Sequence, residues 1–228
     1  YIISVLLVFL SCEDALIEEP KAIVSEKFYN TAGDLETAVN AIIAPLRSNN
    51  CFGSLYPWQT EIYSDFQLGR GSYAVLNNYQ GLDNTNIARV GSMWNEFYLA
   101  IRNANLVIAN APDATKASEA DIIRYTSEAR FLRDFSYAAI IPYFGKLPLR
   151  TESNISATKI PLSSSEEIYS LIFEDLEYAE QYLPDNPSVA GRPTKWAAKT
   201  ALAHIYFLRG DYQEAVNKSE EIINSNQF

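Results

Sequence analysis

The sequence has very few of the residues from which metal sites and catalytic triads are built. Its 228 residues include one histidine, His204, and two cysteines, Cys12 and Cys51. A metal site of paired histidines is therefore excluded, and a Ser-His-Asp or Cys-His arrangement would depend on His204 alone. Because His204 lies in an apolar helical run, residues 201–206, we expect it to be packed. We predict no metal, no cofactor and no catalytic residue.

Glycine, proline and basic residues are also scarce. Nine glycines and ten prolines argue against disorder and against a loop-dense all-β fold. Only 18 Lys and Arg stand against 28 Asp and Glu, which gives a formal net charge of −10. Because no dense basic cluster offsets this charge, a nucleic acid or an anionic membrane surface would be repelled. We predict that the protein does not bind nucleic acid.

The sequence contains one notable apolar run, residues 1–10 (YIISVLLVFL). This run is shorter than the ~20 residues that span a bilayer, and it fits the hydrophobic core of a secretory signal. The tripeptide Leu10-Ser11-Cys12 that follows resembles a bacterial lipobox. We therefore predict a partial lipoprotein signal peptide over 1–11, a lipid anchor on Cys12 and a tether over 12–27. The alternative is a buried N-terminal strand that ends in a free cysteine.

Aromatic residues are abundant, with 15 Tyr, 11 Phe and 3 Trp. Tyrosine suits both partly wet binding surfaces and helix packing, and we expect most of these residues to be packed. Apolar residues at three- and four-residue steps predict an all-α fold. The predicted helices cover residues 35–46, 94–108, 122–139, 165–183, 194–209 and 211–225. We expect residues 31–34 to cap the first helix and Pro142 to close the third, and we expect Cys51 to be a small buried apolar residue.

The last two predicted helices match a tetratricopeptide helix pair. Small residues at Ala198, Ala201 and Ala215 would allow close helix approach, and Gly210 can adopt the left-handed conformation that ends a helix. Asp211 is placed to cap the next helix and Tyr212 to fill the space between the two. Because such pairs cannot bury their apolar faces alone, they stack, and we predict an α-α superhelical scaffold.

Residues 49–91 lack the helical periodicity of the rest of the chain, which predicts a long irregular loop region. Glycines and asparagines punctuate this stretch, with a short helix possible near residues 58–66. Long loops in compact domains are usually functional or disordered, and the aromatic content here argues against disorder.

Among the charged residues of the largely apolar third helix, Glu128, Arg130 and Arg133 invite interpretation as an active site. Because buried charges need partners, we interpret them as an ion-pair lock between helices and not as an active site. Trp94 and Trp196 lie on helical faces, and we expect both in the core.

Several motifs in a fixed order resemble one known family, the SusD/RagB outer-membrane nutrient-binding lipoproteins of Bacteroidetes. The lipobox at Cys12 is the first. It is followed by WNEFYLAIRNAN (94–105), EARFLR (128–133) leading to YFGKLPL (143–149), EDL (174–176) and GRPTK (191–195).

The resemblance implies a lipid-anchored protein on the surface of the outer membrane. Such a protein would capture glycans or other nutrients and deliver them to a SusC-like TonB-dependent transporter, with the lipid as its only membrane contact. Residues 28–228 would form the helical domain. Because members of the family are longer, we expect this chain to be the N-terminal portion and to hold only part of the ligand site.

Sugars bind to aromatic faces through their C–H surface and to amides, carboxylates and guanidinium groups through their hydroxyls. The irregular stretch offers both kinds of group, and the resemblance implies that some ligand contacts come from this region. The candidate ligand-binding residues are Trp58, Tyr63, Asp65, Arg70, Tyr73, Asn77, Tyr79 and Asn84.

Two other functions stay open at this stage. A helical-toroid glycoside hydrolase would use a carboxylate pair among aromatic residues, and Glu61 with Asp65 would be that pair. A tetratricopeptide scaffold would bind only protein partners.

Overall fold

The computed structural model describes residues 28–64, 66–187 and 189–227, and helices dominate this part of the chain. The signal peptide, the anchor on Cys12, the tether over 12–27 and the candidate ligand residue Asp65 lie outside the described residues. The α-helices are α1 (Ala32–Leu46), α2 (Leu55–Glu61), α3 (Ala74–Asn77), α4 (Asn84–Asn110), α5 (Glu119–Phe144), α6 (Ser165–Tyr182), α7 (Lys195–Arg209) and α8 (Tyr212–Asn224). The all-α prediction is confirmed.

Side-chain caps determine where several of these helices begin. At the start of α1, the Thr31 hydroxyl accepts a hydrogen bond from the Asp34 backbone N–H, and the Asp34 carboxylate accepts one from the Thr31 backbone N–H at 2.8 Å. Ser164 and Glu167 form the same reciprocal box at the start of α6. Each box satisfies backbone donors that the first helical turn leaves unpaired, which fixes the helix start.

Glycines with positive φ end two long helices. Gly210 ends α7 at φ +84°, as the sequence predicts. The prediction that Pro142 closes the third helix is wrong, because α5 continues through it to Phe144. Gly145, at φ +68°, ends the helix and donates its N–H to the Ile141 carbonyl at 2.9 Å. Proline has a helix-compatible φ but no N–H, so Pro142 removes the hydrogen bond to the Ala138 carbonyl without ending the helix.

The core lies between successive long helices. Helix α1 packs against α4 and α5, and from α4 to α8 each long helix packs against the next. Helix α5 is central, since it contacts α1, α4 and α6, and the side chains of Tyr137 and Ile140 are fully buried there. Cys51 is also fully buried, as predicted, and burial raises the pKa of its thiol to about 11.

The irregular stretch is shorter and more ordered than the sequence indicates. It ends at residue 83, not near 91, because the Asp83 carboxylate accepts a hydrogen bond from the Asn86 backbone N–H and starts α4 there. Asn84 is therefore the first residue of α4 and not a loop residue. Between α5 and α6 the chain forms a small antiparallel ladder, β1 (Leu147–Pro148) with β2 (Leu162–Ser163), which the helical periodicity could not reveal.

Four predictions about α7, α8 and the tryptophans are wrong. Asp211 makes no side-chain cap, since its backbone (φ −83°, ψ 61°) departs from the extended N-cap conformation. Tyr212 is 63% exposed and does not fill the space between the helices, although Ala215 is buried. Ala198 is buried in a cluster with Ala179 and Leu183 at the end of α6. His204 is exposed, because it lies on the outer face of α7. Trp94 and Trp196 are half-buried and lie at the edge of the core.

Candidate functional site

The charged residues of α5 form the predicted ion-pair lock. Arg133 donates two hydrogen bonds to the Asp175 carboxylate on α6, at 2.7 and 2.8 Å, and both side chains are 1% exposed. Arg130 also reaches Asp175, at 3.1 Å. Glu128 pairs with Arg192 at 2.6 Å, which ties the segment before α7 to α5. These pairs stabilise the helix stack, and each of Glu128, Arg130 and Arg133 has an oppositely charged partner.

Burial and pairing set the ionisation of this lock. Burial raises the pKa of Asp175, and the hydrogen bonds from Arg133 oppose that rise. For Arg133, burial acts to lower the pKa, but the hydrogen bonds and negative charges of Asp175 and Glu152 together more than offset it, and the pKa is raised. Arg133 is therefore a permanent cation whose charge is used inside the protein, which leaves it unsuited to chemistry on a ligand.

The segment between α1 and α4 brings four predicted aromatic residues together in two pairs. Trp58 on α2 meets Tyr73 edge to face, with ring centroids 5.9 Å apart, and Tyr63 meets Tyr79 at the same distance. The Tyr79 hydroxyl donates to the Tyr63 carbonyl at 2.5 Å. Trp58 and Tyr79 remain 46% and 69% exposed. We call these four residues the aromatic loop cluster.

Arg89 on α4 holds the Tyr73 ring of the cluster in place. Its guanidinium carbon lies 3.7 Å from the centroid of the Tyr73 ring, within the range of a cation–π interaction. The same group donates to the Ser72 hydroxyl at 2.6 Å and to the Asn86 side-chain oxygen at 2.8 Å. Asn86 is fully buried and donates to the Ser72 carbonyl at 2.9 Å. Sequence reasoning missed Arg89 and Asn86, since nothing in their spacing indicates a contact with Ser72.

The polar candidates have different roles. The Asn77 amide closes the loop: it accepts from the Gly69 N–H at 2.9 Å and donates to the Gly69 carbonyl at 2.7 Å. Asn77 therefore positions the loop. Arg70 and Asn84 are exposed, and both flank the segment that carries Tyr73.

The remaining features of the site concern ionisation and membrane contact. Burial raises the pKa of the Tyr63 phenol, which stays neutral at physiological pH. Of the carboxylate pair considered for hydrolysis, Glu61 is half-buried at the end of α2.

None of the helices among the described residues combines the length and apolar character needed to cross a bilayer.

A family model and several relatives match this chain. The matching model is that of SusD-like proteins, described as "Starch-binding associating with outer membrane", and it covers residues 21–207. A curated relative from Formosa agariphila, SusD-like protein P2, is 30% identical over 233 residues. That match covers 98% of this chain but 45% of the relative, so the chain spans less than half the length of this relative.

Solved structures share the fold. A structure titled "Laminarin binding SusD-like protein" has a TM-score of 0.74 and 25% identity, covering 85% of this chain and 44% of its own. A SusD homolog from Bacteroides thetaiotaomicron has a TM-score of 0.77 at 20% identity, covering 89% of this chain and 42% of its own.

Proposed function

Because the chain belongs to the SusD-like family, we propose that the protein binds oligosaccharides at the outer membrane. The starch-binding description of the family and the laminarin-binding relative both point to glycans as the ligand class. Less than half of each compared chain is matched, so the ligand class comes to this chain as a proposal.

The observation that carries this proposal is the aromatic loop cluster. Trp58 and Tyr79 present aromatic surface to solvent, and an aromatic face can pack against the C–H face of a sugar ring. Arg70 and Asn84 are exposed in the same segment and offer donors to sugar hydroxyls. The Arg89 contacts fix the Tyr73 ring before any ligand arrives, which lowers the entropy cost of binding.

The protein is proposed to be held at the membrane by lipid on Cys12 and to pass its ligand to a SusC-like TonB-dependent transporter. A chain tethered beside a transporter raises the local ligand concentration at the transporter mouth. A Cys12→Ala variant expressed in the native host should leave the membrane fraction. Loss of the variant from membranes supports the anchor, and unchanged membrane retention contradicts it.

Binding without turnover is the form of activity that we propose. The described residues of the candidate site offer aromatic rings, amides and a guanidinium group, which suit recognition. Glycan hydrolysis would need a carboxylic acid and a second carboxylate held at a fixed separation.

Titration of the full-length protein with starch, laminarin and their oligosaccharides tests the function. We expect saturable heat of binding with at least one glycan and no new reducing ends after prolonged incubation. Release of reducing ends would favour the hydrolase. Absence of binding to every glycan, with the transporter still co-purifying, would favour a scaffold that binds only proteins.

A further inference from the structure

A pocket separate from the aromatic loop cluster lies between α4 and the chain that follows β1. It measures about 500 Å³, which is within the about 300–1,000 Å³ typical of small-molecule sites. Tyr98, Arg102 and Asn105 form its α4 wall, since residues at these spacings share one face of a helix. Residues between 150 and 158 form the opposite wall. We call this cavity the arginine pocket.

The arginine pocket is positively charged, although the whole chain carries a formal net charge of −10. Arg102 and Arg150 line it, and no Asp or Glu of the described residues does. Within the part of the chain that the structure describes, neither arginine forms an ion pair and the Arg102 side chain makes no hydrogen bond. The Arg150 guanidinium donates one hydrogen bond, to the Ala157 carbonyl. Because a guanidinium group has five N–H donors, most of these donors remain available to a ligand.

Asn105 supplies a buried donor to the pocket. It is 2% exposed, and its Oδ1 accepts a hydrogen bond from Arg133 at 2.6 Å. The Nδ2 of Asn105 donates to no acceptor that the structure describes, and the residue lines the pocket. A buried donor without an acceptor is costly, so an oxygen of a ligand would stabilise it. The contact with Arg133 also polarises the amide, which makes its N–H groups stronger donors.

Hydrogen bonds hold the wall opposite α4 in shape. The Tyr137 hydroxyl accepts from the Arg150 backbone N–H at 2.7 Å and donates to the Arg150 carbonyl at 2.9 Å. Asn154 closes the next turn, because its Oδ1 accepts from the Thr151 N–H at 3.1 Å and its Nδ2 donates to the Leu149 carbonyl at 3.0 Å. A wall that is fixed before the ligand arrives lowers the entropy cost of binding.

The donors of the arginine pocket suit a small oxyanion. Guanidinium groups bind carboxylate and tetrahedral oxyanions through charge-assisted, often bidentate hydrogen bonds. Glu152 follows the wall residue Thr151 in sequence, and Arg133 holds its carboxylate at 2.5 Å, which reduces its repulsion of a bound anion. Tyr98 and Ile155 add apolar surface to the walls, and an aromatic face can pack against the C–H face of a sugar ring.

We propose that the arginine pocket is a second ligand site, which binds a sugar that carries a carboxylate or sulfate group. Arg102 and Arg150 bind the charged oxygens, and Asn105 Nδ2 donates to an oxygen of the same sugar. The choice of a sugar rests on the proposed function, whereas the preference for a negative charge rests on the pocket alone.

Isothermal titration of the full-length protein at low and constant ionic strength tests the proposal. The probes are sodium glucuronate and glucose 6-sulfate, with glucose, acetate and inorganic sulfate as controls. We expect at least one acidic sugar to bind at least about tenfold more tightly than glucose, because hydrogen bonds to charged groups are stronger than neutral ones. Added sodium chloride should weaken this binding, since Arg102 is exposed and salt screens its charge.

Two results with these probes overturn the proposal. If neither acidic sugar binds more tightly than glucose, the pocket does not select a negative charge. If acetate or inorganic sulfate binds as tightly as the sugar with the same charged group, the pocket is an ion site and not a sugar site.

Matched substitutions locate the binding. Arg102→Gln should abolish the preference for the acidic sugar. Arg47→Gln is the control, because it makes the same change of charge at an exposed residue that ends α1 and lies outside the walls of the pocket. Asn105→Asp keeps an oxygen toward Arg133 but replaces the Nδ2 donor with a charged oxygen, so it should also abolish the preference in a protein that circular dichroism shows to be folded. A preference retained in Arg102→Gln, or lost equally in Arg47→Gln, contradicts the proposal.

Uncharged oligosaccharides of starch and laminarin separate this proposal from the proposed function. Arg102→Gln should leave their affinity unchanged, because they carry no charged group for the pocket to bind, and a loss of their affinity would contradict the assignment to acidic sugars. If they do not bind the wild type while the preference for an acidic sugar persists, glycan capture by the aromatic loop cluster fails and the arginine pocket stands.

Discussion

Replacement of Arg133 by methionine removes the centre of the ion-pair lock while it keeps much of the side-chain volume. Arg133 donates to Asp175, to Asn105 at 2.6 Å and to Glu152 at 2.5 Å. Among the ion pairs of the described residues, Asp175, which is 1% exposed, then keeps the 3.1 Å contact with Arg130. The substitution therefore leaves a buried carboxylate with too little compensating charge.

The expected loss follows from the burial of both partners. Removal of one member of a buried ion pair typically costs about 3–5 kcal/mol, because the other charge stays desolvated. For a domain of this size, about 2–4 °C per kcal/mol converts this loss into a fall in unfolding temperature of about 6–20 °C. Urea denaturation followed by circular dichroism measures the free energy of unfolding, and calorimetry measures the unfolding temperature.

Arg209→Met is the matched control. Arg209 pairs with Glu166 at 2.6 Å, but the two side chains are 31% and 72% exposed. A surface pair of this kind typically contributes about 0–1 kcal/mol, so Arg209→Met should change the free energy of unfolding little. If Arg133→Met costs no more than Arg209→Met, the lock does not stabilise the helix stack and the reasoning is refuted.

Three further predictions concern the helix ends and the thiol. Gly210→Ala should lower the free energy of unfolding by about 1–2 kcal/mol, because a φ of +84° is strained for an L-residue. Gly91→Ala inside α4 should raise the free energy of unfolding by about 0.5–1 kcal/mol, because alanine favours the helix over glycine. Urea denaturation measures both changes, and the same sign for both would contradict the prediction. Cys51 should resist Ellman's reagent in the native protein at about pH 8. Ordinary thiols titrate near this pH, whereas burial raises the pKa of the Cys51 thiol to about 11. Prompt reaction of the native protein would contradict the burial of Cys51. Asp34→Ala should lower the unfolding temperature at neutral pH, and the difference from the wild type should shrink below about pH 4. Hydrogen bonds from the Thr31 side chain and backbone lower the pKa of Asp34, so the stability that Asp34 contributes is lost as the pH falls through that lowered pKa. A difference that does not change with pH would count against the capping box.

The long helices were predictable because their signals are local. The apolar periodicity of α4 to α8 and the cap at Thr31 depend on residues within one or two turns of each other. Gly210 was predictable for the same reason. The end of α5 was not predictable from Pro142, because a proline removes one helical hydrogen bond without always ending the helix, and Gly145 ends it instead.

Partners across the fold were not predictable. The charges of α5 indicated an ion-pair lock, but the partner of Arg133 is 42 residues away at Asp175. The contact between Arg89 and Ser72 was not predictable for the same reason, since the two residues are 17 positions apart in sequence. His204 was predicted to be packed because apolar neighbours surround it in sequence, whereas the helix turns it to the outer face.

The contacts among the candidate residues were not predictable residue by residue, and ligand binding by this region stays a prediction. Aromatic and amide residues in an irregular stretch indicated a candidate ligand-binding region. The structure pairs Trp58 with Tyr73 and Tyr63 with Tyr79 in that region. The structural role of Asn77 depends on the path of the backbone at Gly69, which the composition does not reveal.

The affinity of a Trp58→Ala variant for glycan tests the proposed function most directly. The full-length variant is titrated with the oligosaccharide that the wild type binds most tightly, beside Tyr182→Ala, which removes an aromatic ring that is 40% exposed and lies on α6, outside the cluster. We predict a loss of about tenfold or more for Trp58→Ala and no loss for Tyr182→Ala, because truncation of an aromatic anchor typically costs more than 1 kcal/mol. Unchanged affinity in a folded Trp58→Ala protein would contradict glycan capture by the aromatic loop cluster.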